Sequence, residues 1–340
     1  MAETWTKNVR SYLEFESTPG SLPTGGADKR PQSFGIMPVP QINQREIRPI
    51  GNDYPSGYQR GLEWCDLTIV GGQGAAPTVD FVGINYPLEA MFGAATPTNP
   101  SANTYQRVYA PGTSLGRTFS LDYGDPNVAA NLKRVLYCFI TQLSFSANIN
   151  ELTFGGSGKG KTVAFGSLTP AGSPADIAMV TPNPFIAGLY LANTYGGLGT
   201  AGASTGGALV GRFFNFNIDT GVRADTLAPI KPSNNSWEVQ KPMTPSGTVS
   251  MLLGADATGW GYLTQLRANS TIFGRYEVIG SVIEDTIAYL FAIDFAFQLS
   301  QHFNQQDFEG LDSIELSGGL VQNSDLTGIK ITTRTALAAL

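Results

Sequence analysis

The residues with the clearest chemical potential form a glycine-rich segment near the middle of the chain. Residues 155–162 read Gly-Gly-Ser-Gly-Lys-Gly-Lys-Thr and fit G-x-x-x-x-G-K-[ST], the pattern of a phosphate-binding loop. That chemistry needs a strand before the loop and a helix after it, because the amides at the helix N-terminus hold the phosphates. The following segment contains Gly166 and Pro170 and does not favour a helix. We predict a glycine-rich hairpin tip with two solvated lysines; a nucleotide-binding enzyme is the alternative.

Other residues that could do chemistry are few. The single histidine, His302, follows a long strand pattern without a nucleophile motif, so we expect a surface or interface residue. We expect no Cys/His metal cluster, because the chain contains only one histidine and two cysteines, Cys65 and Cys138. The thiols could pair, but a protein made in the cytoplasm favours free, buried thiols. The sequence indicates no enzyme, no metal and no cofactor.

Composition limits the possible partners. The chain of 340 residues has 27 acidic and 21 basic residues, a net charge of −6, which argues against a protein that binds nucleic acid through a basic face. Hydrophobic residues make up 42%, enough for a core. No stretch approaches about 18 uninterrupted apolar residues, and the first residues lack a signal-peptide pattern. We therefore expect no membrane partner and synthesis in the cytoplasm.

The elements that must position any site are mainly strands. Apolar residues alternate with polar ones over 65–69 and 118–123, and over longer stretches at 143–150 and 291–300. A period of two residues is typical of half-buried antiparallel strands. The two longest patterns exceed the usual strand length of about five to six residues, which suits a curved sheet or a barrel wall.

Helical signals are short. One helix is predicted at 87–92, where a proline opens the segment and a glycine ends it. A second is predicted at about 259–269, with Asp256 or Thr258 available as its cap. Their positions indicate a repeated order of strand, helix, strand and long strand: 62–70, 87–92, 118–123 and 135–150, then 248–253, 260–269, 273–279 and 289–301.

The regions between these elements are rich in turn-forming residues. Residues 155–245 are rich in Gly, Pro, Ser and Thr, and the run 196–207 predicts a flexible loop or linker. A second turn-rich segment covers 94–115. Loops of this length inside compact domains are uncommon and usually functional or disordered. In an assembling protein they would be arms that become ordered against neighbouring copies.

The order of these features resembles the tail tube proteins, or major tail proteins, of long-tailed non-contractile bacteriophages. Residues 15–23 (FESTPGSLP) resemble the extended opening of that family. Residues 45–49 (REIRP) and 57–61 (GYQRG) resemble its strand and Arg/Gly loop, before a short helix that ends with AMFG at 90–93. Finally, 117–124 (RTFSLDYG) and 142–151 (QLSFSANINE) resemble the strand pair that closes its first half.

The resemblance implies a mainly β protein with two tandem tail-tube-like β-sandwich or barrel domains, each with a short flanking helix, plus long loops and arms. Residues 1–44 would form an N-terminal arm and first strand, and 45–166 the first tube-like domain. Residues 167–245 would form a Gly/Pro-rich linker and loops with some strand, and 246–340 the second domain core and C-terminal segment.

The function implied is a structural subunit of the virion tail. Three copies would form a pseudo-sixfold ring, and stacked rings would conduct double-stranded DNA during ejection without binding it specifically. Its other partners would be tail proteins such as the tape measure and the terminator. A slightly acidic wall would repel phosphates, and Asp122 and Asp294, on polar strand faces, are the candidate lumen-facing acids. Another virion component, in a capsid, decoration or baseplate, would share this composition.

Overall fold

The chain is described by a computed structural model that covers 9–340, except residues 25, 49, 51–55, 73–74, 113–114, 126–131, 166–174, 184–185, 206, 209–210, 226–238, 242–244, 301–303, 309 and 327. The fold is mainly β, which confirms the predicted class.

The described part of the first half contains one helix and ten strands. They are β1 (Arg10–Phe15), β2 (Lys29–Arg30), β3 (Gly35–Ile47), β4 (Gly57–Val70), α1 (Asn85–Phe92), β5 (Thr98–Ser101), β6 (Thr104–Tyr109), β7 (Phe119–Gly124), β8 (Lys133–Asn148), β9 (Leu152–Gly160) and β10 (Thr162–Phe165).

The described part of the second half adds fourteen strands, six of them only two or three residues long, and one helix. They are β11 (Ala175–Asp176), β12 (Gly188–Ala192), β13 (Gly199–Thr200), β14 (Ala203–Ser204), β15 (Gly207–Ala208), β16 (Gly211–Asp219), β17 (Arg223–Asp225), β18 (Val239–Lys241), β19 (Ser246–Gly254), α2 (Ala257–Ala268), β20 (Ile272–Glu284), β21 (Ile287–Leu299), β22 (Asn304–Phe308), β23 (Leu311–Leu320) and β24 (Ile329–Thr335).

Both predicted helices and all the predicted long strands are confirmed. Gly93 ends α1 with a φ of 94°, a left-handed conformation that favours glycine. Asp256 caps α2, because its side chain accepts a hydrogen bond from the Gly259 amide, and Asn269 ends the helix in a left-handed conformation. The local signals for these helices were therefore sufficient.

One continuous sheet crosses both halves of the chain. Its strand order is β3, β4, β9, β8, β16, β19 and β23, followed by β21, and every pairing is antiparallel. The strand β22 also pairs with β23, on the same side as β21. The join between the halves is the β8–β16 ladder, in which Phe216 lies opposite Phe145.

Two further groups of strands branch from the long strands β8 and β21. The N-terminal part of β8 pairs with β7 and β10, and β7 leads to β1, β2 and β11. In the same way β21 pairs with β20 and β24, which lead to β12 with β15 and to β6 with β5. One apolar core, which includes Phe145, Phe216 and Phe291, lies between these layers.

The strand pairings of the first half recur in the second. The pairs β1–β7, β7–β8, β8–β10, β8–β9, β9–β4 and β4–β3 correspond in order to β12–β20, β20–β21, β21–β24, β21–β23, β23–β19 and β19–β16. The helix α1 lies against β8, and α2 lies against β21. The predicted repeat of order is thus also a repeat of connectivity.

A glycine occupies corresponding positions of the strands β9 and β23 in the two halves. A Cβ on Gly158 of β9 would lie 2.1 Å from the Phe139 carbonyl oxygen, next to a register shift in the β8–β9 ladder. A Cβ on Gly318 of β23 would lie 2.1 Å from the Gln298 carbonyl oxygen of β21. Because no side chain fits at that distance, both crossings require glycine.

The glycine-rich run 196–207 differs from its prediction. A 3-10 turn (Tyr195–Leu198) and the β13–β14 hairpin lie against β20. The guanidinium of Arg275 donates to the carbonyls of Leu198 and Gly199, and the Gly202 amide donates to Glu277. The composition predicted a flexible loop. It could not show that charged side chains of the neighbouring strand β20 hold the backbone of this run.

Candidate functional site

The continuous sheet has one exposed face that is built from small, uncharged polar side chains. Two rows of directly opposed residues cross five strands. They are Gly155, Ser144, Asn217, Thr248 and Gly319, and Thr153, Ser146, Asn215, Ser250 and Ser317, in the strand order β9, β8, β16, β19 and β23. These residues, which we call the polar face, line a depression of about 790 Å³.

Period-two alternation produces this face. The residues between those of the polar face, such as Phe145, Phe154, Phe216, Val249 and Leu316, are buried in the core. Successive side chains of a strand point to opposite sides of the sheet, so burying one set exposes the other. The alternation 144–148 was visible in the sequence as a polar strand side. The alternation Phe214-Asn215-Phe216-Asn217 was present too, but lay within a region interpreted as linker.

Charged side chains lie at the margins of the polar face: Glu315 lines the depression, and two further groups form neutralised pairs. Asp219, at the end of β16, accepts from Arg223 and from the side-chain amide of Gln142. On the β4 side, Lys159 pairs with Asp66 and lies over the Trp64 ring, 5.6 Å from its centroid. The two central rows contain no ionisable residue, so the face presents hydroxyl, amide and backbone groups.

In the described part of the chain, the outer strands β3 and β22 of the continuous sheet each have only one strand partner. At one end β3 pairs with β4 only, and at the other β22 pairs with β23 only. Unpaired edges expose backbone donors and acceptors, which natural proteins cover or blunt. Beyond the sheet, 41–47 and 57–63 continue as a two-stranded ribbon, in which Ile42, Ile47 and Tyr58 are 43%, 48% and 63% exposed. Such an isolated ribbon is at best marginally stable in water.

The phosphate-loop pattern is part of a strand. Residues 155–160 lie inside β9, and the segment after Lys161 is β10, so the predicted hairpin tip is wrong. Gly156 and Gly158 lie where the backbone of β8 leaves no room for a side chain, and Lys159 pairs with Asp66 instead of being free in solvent. Lys161 lies over the Tyr137 ring. The described residues that follow directly form the strand β10 and not the helix N-terminus that would hold a phosphate.

The two cysteines are free and buried, which confirms the prediction. Cys65 lies opposite Gly160, and Cys138 lies on the far side of that glycine, two strands away. Two strand spacings are about 9.6 Å, more than the roughly 7 Å that a disulfide spans between Cα atoms. Burial raises the pKa of the Cys65 thiol to about 12 and that of Cys138 well above its usual value, so both stay protonated.

His302 lies outside the described residues. Within the described part of the chain, no three His, Cys, Asp or Glu side chains come together as metal ligands. In the same part, no helix has the length and apolar character that crossing a membrane requires.

The two predicted lumen-facing acids are buried in ion pairs. Asp122 of β7 is 1% exposed and receives two hydrogen bonds, of 2.7 and 2.6 Å, from Arg134 of β8. Asp294 of β21 is also 1% exposed and receives bonds of 2.5 and 2.9 Å from Arg275 of β20. Neither carboxylate contributes free negative charge to a surface of the single chain. The two ion pairs join corresponding strands, β7 to β8 and β20 to β21. The acid lies on the first strand in one pair and on the second strand in the other.

A pair of neighbouring carboxyl groups lies near the first strand. The Glu14 and Asp28 carboxyl groups face each other, with the Lys29 ammonium 3.7 and 3.0 Å from their nearer oxygens. Burial, and next a hydrogen bond with Asp28, raises the pKa of Glu14 to about 7. That hydrogen bond lowers the pKa of Asp28. The raised pKa favours the neutral form of Glu14 at mildly acidic pH, beside the Asp28 carboxylate.

The opening segment 15–23 is fixed by Glu16, which is 5% exposed. Its carboxylate accepts from the Gly20 amide at 2.7 Å, and from the Ser120 hydroxyl and the Tyr137 amide at 2.9 Å each. A buried carboxylate with three donors ties this segment to β7 and β8. The sequence resemblance covered the stretch 15–23, which includes Glu16, but could not show these contacts.

Comparison of the chain with protein-family models and with curated proteins found no match.

Proposed function

We propose that the chain is a structural subunit of a bacteriophage tail tube, in which three copies form a pseudo-sixfold ring. The observation that carries this proposal is the continuous sheet, in which strand pairings of the first half recur in the second and the outer strands β3 and β22 have no second strand partner among the described residues. We interpret the halves as two tube-like units joined by the β8–β16 ladder. Repeating a side-by-side arrangement around an axis gives a closed ring.

Strand arithmetic favours three chains. Each chain offers eight positions to the sheet: β3, β4, β9, β8, β16, β19, β23, and β21 continued by β22. At a spacing of about 4.8 Å and a tilt of about 40°, 24 strands close at a backbone diameter of roughly 48 Å, and 16 strands at roughly 32 Å. Side chains remove roughly 10 Å. Duplex DNA, about 20 Å wide, passes with clearance only through the larger bore.

The chemistry of the polar face suits passage without binding. Specific or nonspecific binding of DNA depends on cations that neutralise phosphates and release counterions. Rows of Ser, Thr, Asn and Gly supply no such cation. In this proposal the polar face forms the wall of the bore, and its low affinity for DNA comes from neutrality as well as from the net charge of −6.

Electron microscopy of the concentrated protein tests this proposal. We expect hollow rings, single or stacked, whose rotational average shows six similar densities and a bore of roughly 38 Å. Light scattering should give a mass of three chains per ring. Solid particles, or a chain that remains monomeric at every concentration and in the presence of preformed tail tips, would refute the proposal.

A further inference from the structure

The β8–β16 ladder shows how one half docks on the next, because it joins equivalent units within a single chain. In this ladder Phe214, Phe216 and Ile218 lie opposite Ala147, Phe145 and Leu143. In an antiparallel strand, the N–H and C=O groups of one residue both point to one neighbouring strand, and those of the next residue point to the strand on the other side. The Thr220 amide donates to the Thr141 carbonyl, so the even-numbered residues of β16 face β8.

The first-half equivalent of β16 is β3, and the register between them is fixed across four strands. Pro38 lies opposite Leu67, which lies opposite Gly158, which lies opposite Ile140. In the second half the same positions are held by Phe216, Val249, Gly318 and Leu299. The two close-crossing glycines occupy matching places in these series. Ile36, Pro38 and Pro40 are therefore the equivalents of Phe214, Phe216 and Ile218.

These three positions of β3 lack the donors that their equivalents supply. Pro38 and Pro40 have no N–H, and the Ile36 amide already donates to the Ser11 hydroxyl at 3.1 Å. Since that amide does not donate to β4, the backbone N–H and C=O groups of the even-numbered residues of β3 point away from β4. In the same way, the backbone groups of the even-numbered residues of β16 point towards β8. The next equivalent of a docking residue, Ile42, keeps its N–H. Prolines directed outward are a known means of blunting an edge strand.

We propose that Pro38 and Pro40 make the outer edge of β3 an acceptor-only edge, which weakens its pairing with the β22 edge of a second copy of this chain. The same register sets Pro38 opposite Gln305 of that copy, because Phe154 pairs with Phe145 and its equivalent Ile314 pairs with Gln305. The joint between chains is then weaker than the joint within a chain, so isolated chains do not polymerise through this edge. This inference rests on the side-by-side assembly proposed above.

The experiment restores the missing donors. The double variant Pro38→Val and Pro40→Val adds two N–H groups per joint, and we expect self-association to tighten by roughly 10- to 100-fold, since each net hydrogen bond contributes a several-fold factor. Analytical ultracentrifugation over a concentration series measures it. Pro100→Val is the matched control, because Pro100 is an exposed proline on the edge strand β5, which has no counterpart in the internal ladder. It should associate as the original chain does.

A second substitution identifies the partner surface. Adding Gln305→Pro to the double variant removes the donor on the opposing edge, and we expect the gain in association to disappear. Circular dichroism melting checks that each variant is folded. A double variant that associates no more tightly than the original chain overturns the inference, and so does a gain that survives Gln305→Pro or is shared by Pro100→Val.

The outcomes separate this inference from the tube proposal. If the original chain forms hollow rings but the valine variant associates no more tightly, the edge inference fails and the tube proposal stands. If the valine variant associates through Gln305 but neither protein ever closes into a hollow ring, the edge inference stands and the tube proposal fails.

Discussion

Removing the Asp294 carboxylate should destabilise the chain more than removing the carboxylate of the other buried pair, Asp122. Asp294 accepts two hydrogen bonds from Arg275 and one, at 2.9 Å, from the Tyr195 hydroxyl, and the Lys330 ammonium lies 3.6 Å away. The side chains of Arg275 and Asp294 are 2% and 1% exposed. Asp294→Ala therefore leaves a buried guanidinium with its Nε and Nη2 groups unpaired.

The magnitude follows from that burial. Breaking a buried pair by removing one partner costs about 3–5 kcal/mol, because the remaining charge is desolvated without compensation. Three other acceptors, the Leu198 and Gly199 carbonyls and the Ser204 hydroxyl, still hold Nη1 of Arg275, so the docked run 196–207 should keep its place. We expect a loss near the lower end, about 3 kcal/mol.

Urea unfolding followed by the fluorescence of the four tryptophans measures this loss. Asp122→Ala is the matched control, because its partner Arg134 is 14% exposed and can reach water. It should cost about 1.5–3 kcal/mol, and less than Asp294→Ala. The double variant Arg275→Met and Asp294→Leu should regain most of the loss, since no charge stays buried. Hydrogen exchange should nevertheless show 196–207 less protected, because its anchor is gone.

Two results would refute this reasoning. A loss below about 1 kcal/mol for Asp294→Ala would mean that the Arg275 guanidinium finds water or another acceptor. A double variant as unstable as the single one would mean that lost packing, and not unpaired charge, dominates.

Three further predictions concern the close crossing, the carboxyl pair and the polar face. Gly158→Ala should cost at least about 2 kcal/mol in urea unfolding, because its Cβ would meet the Phe139 carbonyl, whereas Gly155→Ala, which meets only the Ser144 hydroxyl at 3.1 Å, should cost clearly less. Glu14 has a pKa raised from 4.5 to about 7, so it stabilises the fold in its neutral form, and this contribution is lost as the pH rises through 7. Glu14→Gln should therefore raise the melting temperature at pH 8 and change it little at pH 5; equal effects at both values would contradict the shared proton. In assembled tubes, Ser146→Lys should increase DNA retention, with a salt slope of about −0.9 for each added phosphate contact, while Ser324→Lys on an exposed turn should not. Equal retention by both would place the polar face outside the bore.

The secondary structure was largely readable from the sequence. The alternation around Phe145 in one long strand and around Ile293 in the other predicted β8 and β21, because burying one side of a strand requires every second residue to be apolar. The Asp256 cap and the glycine after α1 predicted where the helices lie. These signals act over a few residues, so no tertiary contact was needed to find them.

The exposed or buried state of individual polar residues was not readable. Asp294 sits on a polar strand side by alternation, yet the docked run 196–207 covers that side and the carboxylate pairs with Arg275. Likewise, 155–162 matched a phosphate loop, although Gly156 and Gly158 are explained by the close approach of the β8 backbone. In each case the deciding contact comes from a segment distant in sequence, which local pattern cannot show.

The sequence by itself determined the class of fold, the long strands, the helix ends and the neutral composition of one strand side. Only the tertiary structure decided that β16, inside a turn-rich region, joins β8, so that one sheet crosses both halves of the chain. It also decided that the backbone positions of Pro38 and Pro40 point to the outer edge of β3 and not to β4. Strand register and edge direction depend on pairing between distant segments, and one residue of slip would reverse every side chain.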